Sequence, residues 1–104
     1  MKIDEIFLSS EDRKELSLDT PQGQTDVIVT TSAGETYIAS FFSYKKMREL
    51  ERSNKESKEF LSGTYYWAKN MILIKHCSLE NIKKVVAHLI DEGEFGRAFR
   101  KIDK

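Results

Sequence analysis

The chain has 104 residues, of which 39% are hydrophobic and 33% are charged, and its formal net charge at pH 7 is zero. This length suits one domain with its own core, and an evenly signed charge argues against a large electrostatic attraction to nucleic acid. The single cysteine excludes an internal disulfide. Because no apolar stretch follows positive charge near the start, we expect a cytoplasmic location.

Residues 1–24 form an N-terminal arm. The pattern of apolar residues at its start allows two interpretations. Ile3 and Ile6 stand at helical spacing beside Phe7 and Leu8, which favours a short helix, with a short strand as the alternative. Residues 15–19 alternate between polar and apolar side chains, which is typical of a short edge strand. The arm is therefore predicted to contain a short helix or an edge strand.

Residues 25–42 carry the clearest local pattern in the chain. Two stretches rich in β-branched and aromatic residues flank a four-residue connection that contains Gly34. Glycine supplies the positive φ that a tight turn needs, so the pattern predicts a β-hairpin. The predicted core face of this hairpin consists of Val27, Val29, Tyr37, Ala39 and Phe41.

A helix is predicted for residues 43–59. Ser43 is a suitable N-cap, and Tyr44, Met47 and Leu50 form a narrow apolar stripe behind it. The second half of the segment has no apolar face, so we expect that half to fray. Its acidic and basic residues are interleaved, which suits a solvated helix with intrahelical ion pairs.

Residues 65–76 are predicted to form a strand that organises the domain. Its apolar run, residues 65–74, holds the only tryptophan of the chain and is too short to cross a membrane. With a period of two, Trp67 and Leu73 lie on one face and Tyr66 and Ile72 on the other. Because both faces are largely apolar, this strand needs cover on both sides.

Two helices are predicted to complete the chain, at residues 78–92 and 94–102. The first begins at Ser78 as N-cap and stops before Gly93. Its apolar stripe consists of Leu79, Ile82, Val85, Val86, Leu89 and Ile90. The stripe of the second helix consists of Phe95, Ala98, Phe99 and Ile102. These elements predict a single α+β domain, with an antiparallel sheet of three to four strands that includes the hairpin and with helices packed mainly on one face.

No pattern of residues predicts a catalytic, cofactor-binding or metal site. A zinc site needs three or four protein ligands, whereas the chain offers one cysteine and two histidines. His76 and Cys77 could act as a catalytic pair, but adjacent residues of a strand point to opposite faces. We expect a buried cysteine and a partly exposed histidine, and no cofactor. An enzyme is therefore the least favoured class, with these two residues as its candidates.

Basic residues are most one-sided at the C-terminal end, where Arg97, Arg100, Lys101 and Lys104 would share the exposed face of the predicted last helix. This group supports a weak nucleic-acid-binding module as the alternative function. The balanced charge of the whole chain makes nucleic acid the less favoured partner.

The aromatic residues of the predicted sheet give the leading hypothesis. If the helices fill one face, the other shows Phe42, Tyr66 and Trp67 unless the N-terminal arm covers them through Ile3, Ile6, Phe7 and Leu8. Exposed aromatic residues with little charge between them are typical of protein interfaces. The sequence therefore favours a small intracellular protein-interaction or regulatory module, whose partner is another protein or a second copy of the chain in a homodimer. No membrane partner is expected.

Overall fold

A β-hairpin forms the centre of the molecule, whose computed structural model describes residues 1–8 and 23–102. Strands β2 (Gln24–Thr31) and β3 (Thr36–Ser43) pair in antiparallel register, with Val27 opposite Ala39. The turn closes where the Gly34 N–H donates to the Thr31 carbonyl at 3.0 Å, and Gly34 has a φ of 82°. The predicted hairpin is confirmed, and so is its core face, since Val27, Val29, Ala39 and Phe41 are buried and Tyr37 is partly buried.

Strand β1 (Ile3–Leu8) pairs antiparallel with β2, so the favoured prediction of a short helix at the start of the chain is wrong. A β-bulge explains the misleading spacing. The register shifts between Ile3 and Glu5, so that Ile3 lies opposite Thr31 and Ile6 opposite Val29. The extra residue of a bulge places two residues at i and i+3 on the same face of a strand. The edge strand predicted for residues 15–19 lies outside the described residues.

The sheet has five strands, one or two more than predicted, in the order β1-β2-β3-β4, with β5 also pairing with β3. Strand β4 (Met71–Ile74) runs parallel to β3, whereas β5 (Arg100–Ile102) runs antiparallel to it. The prediction of an α+β domain is confirmed. Its sheet is antiparallel except for the β3–β4 pair.

Helix α3 (Leu79–Asp91) packs on the core face of the sheet, and the prediction of a helix at residues 78–92 is confirmed. Its N-cap Ser78 accepts a hydrogen bond from the Asn81 N–H at 3.3 Å. Ile82 and Val86 are buried against the hairpin core, and each such side chain contributes about 1.5–3 kcal/mol when it is removed from water. Helix α3 is therefore the main cover of this face.

The last predicted helix is wrong over most of its length. Helix α4 (Phe95–Ala98) makes a single turn, and the chain leaves it at Phe99, with φ −104° and ψ 144°, to enter β5. Phe95 and Phe99 stack with ring centroids 4.5 Å apart, so one turn buries both rings. Ile102 then pairs with Thr36 across the sheet, which extended backbone alone permits.

Helix α1 (Tyr44–Ser57) begins at the predicted N-cap, where the Ser43 hydroxyl accepts a hydrogen bond from the Lys46 N–H at 3.0 Å. It ends at Ser57, two residues before the predicted limit, and its C-cap Lys58 has a φ of 67°. A separate turn, α2 (Glu59–Gly63), follows. The strand predicted for residues 65–76 is confirmed only at Met71–Ile74, because the chain is irregular before Asn70, whose φ of 52° interrupts an extended conformation.

Candidate interaction surface

An aromatic cluster lies on the sheet face opposite α3. Its four rings form a chain of contacts, with centroids 5.8 Å apart for Phe42 and Tyr66, 4.9 Å for Phe60 and Tyr66, and 5.5 Å for Phe60 and Tyr65. Edge-to-face and tilted contacts of this kind stabilise aromatic pairs by about 0.5–1.5 kcal/mol beyond burial. The cluster anchors the irregular segment between α2 and β4 to the end of β3.

Four exposed large apolar side chains adjoin this cluster or, in the case of Tyr65, belong to it, and we call them the exposed patch. They are Leu61 at 72% exposed, Trp67 at 66%, Tyr65 at 50% and Leu73 at 42%. Leu61 and Trp67 each adjoin a cluster residue in the chain, and Leu73 lies beside Phe42 in the β3–β4 register. Neighbouring strands are about 4.8 Å apart, so Leu73 borders the same cluster. The exposed patch therefore lies directly beside the aromatic cluster.

A left-handed turn holds Leu61 in this position. Phe60, Leu61 and Ser62 have φ values of 50°, 52° and 57°, and Gly63 follows at 80°. The left-handed conformation costs roughly 1–2 kcal/mol for each residue that carries a Cβ atom. The turn directs Phe60 onto the tyrosines while Leu61 faces solvent. Strain of this kind is found at functional sites more often than elsewhere.

Helix α1 borders the patch and buries very little. Its one buried residue is Asn54, whose Nδ2 has no hydrogen-bond partner within the described residues. Met47 and Leu50 are only partly buried. The α2 turn packs closely on this helix, since a Cβ atom at Gly63 would lie 2.6 Å from the Glu51 carbonyl oxygen. Helix α1 is thus held by the turn rather than by an apolar face of its own.

The charged side chains of α1 carry both signs: Lys45, Lys46, Arg48, Glu49, Glu51, Arg52, Lys55 and Glu56. None of them forms an ion pair with any residue in the described part of the chain. The intrahelical pairs predicted for this helix are therefore not made. The patch is bordered by unpaired charges of mixed sign.

The structure places the three predicted interaction residues in different environments. Phe42 is only 5% exposed and lies beneath Tyr66, which is half-buried. Trp67 is exposed over two thirds of its surface, at 66%. Leu61 and Leu73 were not predicted, because Leu61 depends on a left-handed turn that no residue pattern signals and Leu73 depends on the parallel pairing of β4.

The N-terminal strand does not cover this surface within residues 1–8. Ile3, Ile6 and Leu8 pack against the core on the α3 side. Phe7 is 46% exposed and lies on β1, at the opposite edge of the sheet from β4. This part of the arm widens the sheet instead of lying over the aromatic cluster.

The predicted basic group does not share one helix face. Arg97 lies on α4, 3.7 Å from the carboxylate of Glu94, and Arg100 and Lys101 are consecutive residues of β5. Lys101 forms an ion pair with Glu35 at 2.9 Å. Lys104 lies outside the described residues. The nucleic-acid alternative stays a prediction, without a common basic surface among the described residues.

The environment of Cys77 does not favour catalysis. The side chain is fully buried, and its Sγ lies 3.9 Å from the Phe41 carbonyl oxygen. His76 is exposed next to it, and the His76 carbonyl accepts a hydrogen bond from Asn81. Among residues 1–8 and 23–102, no three His, Cys, Asp or Glu side chains are grouped so that they could hold a metal ion.

In comparisons with known proteins, no family model, no curated protein and no solved structure matches the chain. Within the described residues, none of the helices has the length and apolar character needed to span a bilayer.

Proposed function

We propose that the protein is a small interaction module that associates with a second copy of itself through the exposed patch. The observation that carries the proposal is the grouping of Leu61, Tyr65, Trp67 and Leu73 around one ordered aromatic cluster. Single exposed apolar residues are normal on a protein surface, whereas a continuous group of them marks an interaction site. Trp and Tyr are also the side chains that dominate binding energy at interfaces.

The charges around the patch favour a second copy as the partner. A two-fold interface brings the same surface together from both subunits, so it must be complementary to itself. The mixed, unpaired charges of α1 allow opposite signs to meet across such an axis, and a formal net charge of zero avoids repulsion between copies. A strongly acidic or basic partner would be matched better by charges of a single sign around the exposed patch.

A cytoplasmic location forms part of this proposal. Its support is that Cys77, which is buried in the core, is the single cysteine of the chain and therefore cannot form an internal disulfide. Chains that make no use of internal disulfides are typical of reducing compartments.

The proposal is tested by sedimentation velocity over a dilution series. We expect the wild-type protein to form dimers, and both Trp67→Ser and Leu61→Asn to weaken the association at least about tenfold, or 1.4 kcal/mol. Leu61→Asn is informative because asparagine tolerates a positive φ, so the turn is expected to keep its shape. Circular dichroism and urea unfolding confirm that each variant is folded.

Phe7→Ser is the matched control, since it also removes an exposed apolar side chain but lies on the opposite edge strand. Its association should equal that of the wild type. A wild-type protein that stays monomeric up to roughly 1 mM, equivalent to a binding free energy weaker than about −4 kcal/mol, contradicts the proposal. So does a Trp67→Ser variant that associates normally.

A further inference from the structure

A notch interrupts the sheet where β3 changes partner. Because β2 occupies one side of β3, both β4 and β5 pair on the other side. Strand β5 pairs with residues 36–38 and β4 with residues 40–43, so neither of these strands pairs with Ala39, which lies between the two stretches. A cleft of about 200 Å³ opens at this point.

Asn70 fixes the backbone around the cleft. Its carbonyl accepts a hydrogen bond from the Ser40 N–H at 2.9 Å, and its Nδ2 donates to the Ala98 carbonyl at 3.1 Å. These two bonds join the segment before β4 to β3 and to the end of α4. The cleft is therefore formed before any ligand enters it, as is usual for small-molecule sites.

Two cationic side chains line this cleft. Lys69 comes from the segment before β4, and Arg100 is the first residue of β5. Neither has an ion-pair partner in the part of the chain that the structure describes, unlike Arg97 and Lys101. Like charges that share a site repel each other, and an anion bound between them relieves that repulsion. The cleft thus gathers two positive charges that no ion pair within the described chain neutralises.

The acid that lines the cleft, Asp26, lies across β3 from these cations. It belongs to β2 and stands opposite Ser40, whose hydroxyl donates to its carboxylate at 2.7 Å. Neighbouring strands are about 4.8 Å apart, so roughly 10 Å separates the backbone of β2 from that of β5. Lys69 and Arg100 therefore form one wall of the cleft and Asp26 belongs to the other.

We propose that the wall formed by Lys69 and Arg100 binds a small oxyanion, which is a carboxylate or a phosphate group. The planar guanidinium of Arg100 donates two parallel hydrogen bonds to two oxygens of either group, and the ammonium of Lys69 donates a third. Asp26 takes no part in this contact.

The size of the cleft limits the molecule that carries the oxyanion. Sites for drug-sized molecules typically measure 300–1,000 Å³, and this cleft is smaller. The ligand is therefore a small carboxylic acid, free phosphate or a small phosphate ester. These sources share one chemistry at the cationic wall, so a titration with separate anions distinguishes them.

The test is an NMR titration of the full, ¹⁵N-labelled chain with acetate and with inorganic phosphate, and with chloride as the reference at the same ionic strength. We expect saturable shifts of the backbone amides that border the cleft, at residues 38–40, 69, 70 and 100. Saturation by acetate alone identifies a carboxylate ligand, and saturation by phosphate alone identifies a phosphate ligand. The affinity should fall as salt is added, because exposed charges are screened.

Arg100→Gln and Lys69→Gln should each reduce the affinity for the oxyanion about tenfold, because each removes a charge-assisted hydrogen bond. Arg97→Gln is the matched control, since Arg97 is an exposed arginine that pairs with Glu94 and does not line the cleft. It should leave the affinity unchanged.

Three results would overturn the proposal: no saturable binding of either oxyanion, shifts that chloride reproduces, or binding that Arg100→Gln or Lys69→Gln leaves as tight as before. An equal loss of affinity in Arg97→Gln would also contradict it, because it would show a general effect of charge. These outcomes are independent of the exposed patch, because none of its residues lines the cleft.

Discussion

Gly63 is the residue on which the presentation of Leu61 depends most directly. It has a φ of 80°, and a Cβ atom there would lie 2.6 Å from the Glu51 carbonyl oxygen and 3.2 Å from the Lys55 nitrogen. Both neighbours are backbone atoms of α1, which cannot move aside without disturbing the helix. The left-handed turn and α1 can approach this closely only because the residue between them lacks a side chain.

We predict that Gly63→Ala destabilises the protein much more than Gly34→Ala. Gly34 has nearly the same φ, 82°, but a Cβ atom there would meet nothing within 4 Å. Gly34→Ala therefore measures the cost of the conformation alone, roughly 1–2 kcal/mol. Gly63→Ala adds a steric conflict, for which overpacking typically costs about 1–3 kcal/mol more. Urea unfolding measures the loss of stability in both variants. Equal losses would show that the close approach of Gly63 to α1 is not constrained.

No pattern in the sequence predicts the burial of Asn54. Its position in a largely charged stretch predicts exposure, yet it is the buried residue of α1. A buried amide group without a partner costs about 1–3 kcal/mol. Asn54 directly precedes Lys55, whose backbone nitrogen a Cβ atom at Gly63 of the α2 turn would approach to 3.2 Å.

At the scale of elements, Asn70 connects three parts of the fold. It ends the irregular segment before β4, and it bonds through its carbonyl to Ser40 and through its side chain to Ala98. Its φ of 52° is one that asparagine adopts more readily than most residues. The junction between β4 and α4 thus depends on both the backbone and the amide group of one residue.

Replacement of Asn70 by glycine and by alanine should separate these contributions. Asn70→Gly keeps access to positive φ but loses the bond to Ala98, so we expect a loss of about 0.5–1.5 kcal/mol. Asn70→Ala loses the same bond and also adopts a strained conformation. We expect this strain to lower the free energy of unfolding by about 1–2 kcal/mol more. The free energy of unfolding gives both values. If the alanine variant is no less stable than the glycine variant, the backbone at this position is not constrained.

Helix α1 and helix α3 show how differently the elements are stabilised. Both begin at a serine N-cap that the sequence identifies. Helix α3 is held by apolar residues in the core, whereas α1 has no fully buried apolar residue. Local signals were sufficient to predict the start of each helix. The extent to which each one packs depends on what the rest of the chain places against it.

At the scale of the whole molecule, an ion pair joins the hairpin turn to the last described strand. Lys101 Nζ lies 2.9 Å from Glu35 Oε2, and the Tyr37 hydroxyl donates to Glu35 Oε1 at 3.3 Å. The hydrogen bond and the positive charge of Lys101 hold the pKa of Glu35 below its ordinary value of 4.5. The contact joins residues far apart in the chain, so it is lost on global unfolding.

We predict that this pair makes the stability of the protein depend on pH in the acid range. Because the pKa of Glu35 is lowered in the folded state, its contribution is fully present above the ordinary value of 4.5 and is lost as the pH falls through the lower, folded value. Glu35→Gln should therefore be less stable than the wild type at neutral pH, and the difference should shrink on acidification. Thermal unfolding at a series of pH values measures this difference.

The matched control for this experiment is Glu94→Gln. It removes an ion pair with Arg97 in which the side chains are 84% and 48% exposed, and such pairs contribute little to stability. A difference between Glu35→Gln and the wild type that stays constant down to the most acid pH would contradict the role of the Lys101 pair.

The elements that the sequence determined by itself are those whose cause is local. The hairpin follows from β-branched stretches on either side of Gly34, and α3 follows from its N-cap and its apolar period. The burial of Val27, Val29 and Phe41 follows from the two-residue period of the strands. Neighbours in the chain are sufficient to specify each of these features.

Tertiary structure decided the features in which distant residues compete with local preference. Pairing with β2 turned a segment with helical spacing into the bulged strand β1, and pairing with β3 drew Ile102 out of a predicted helix into β5. Ring contacts with Tyr65 and Tyr66 hold Phe60 in a left-handed turn that its own conformational preference disfavours. The exposed patch arises from these long-range contacts, which a local period does not encode.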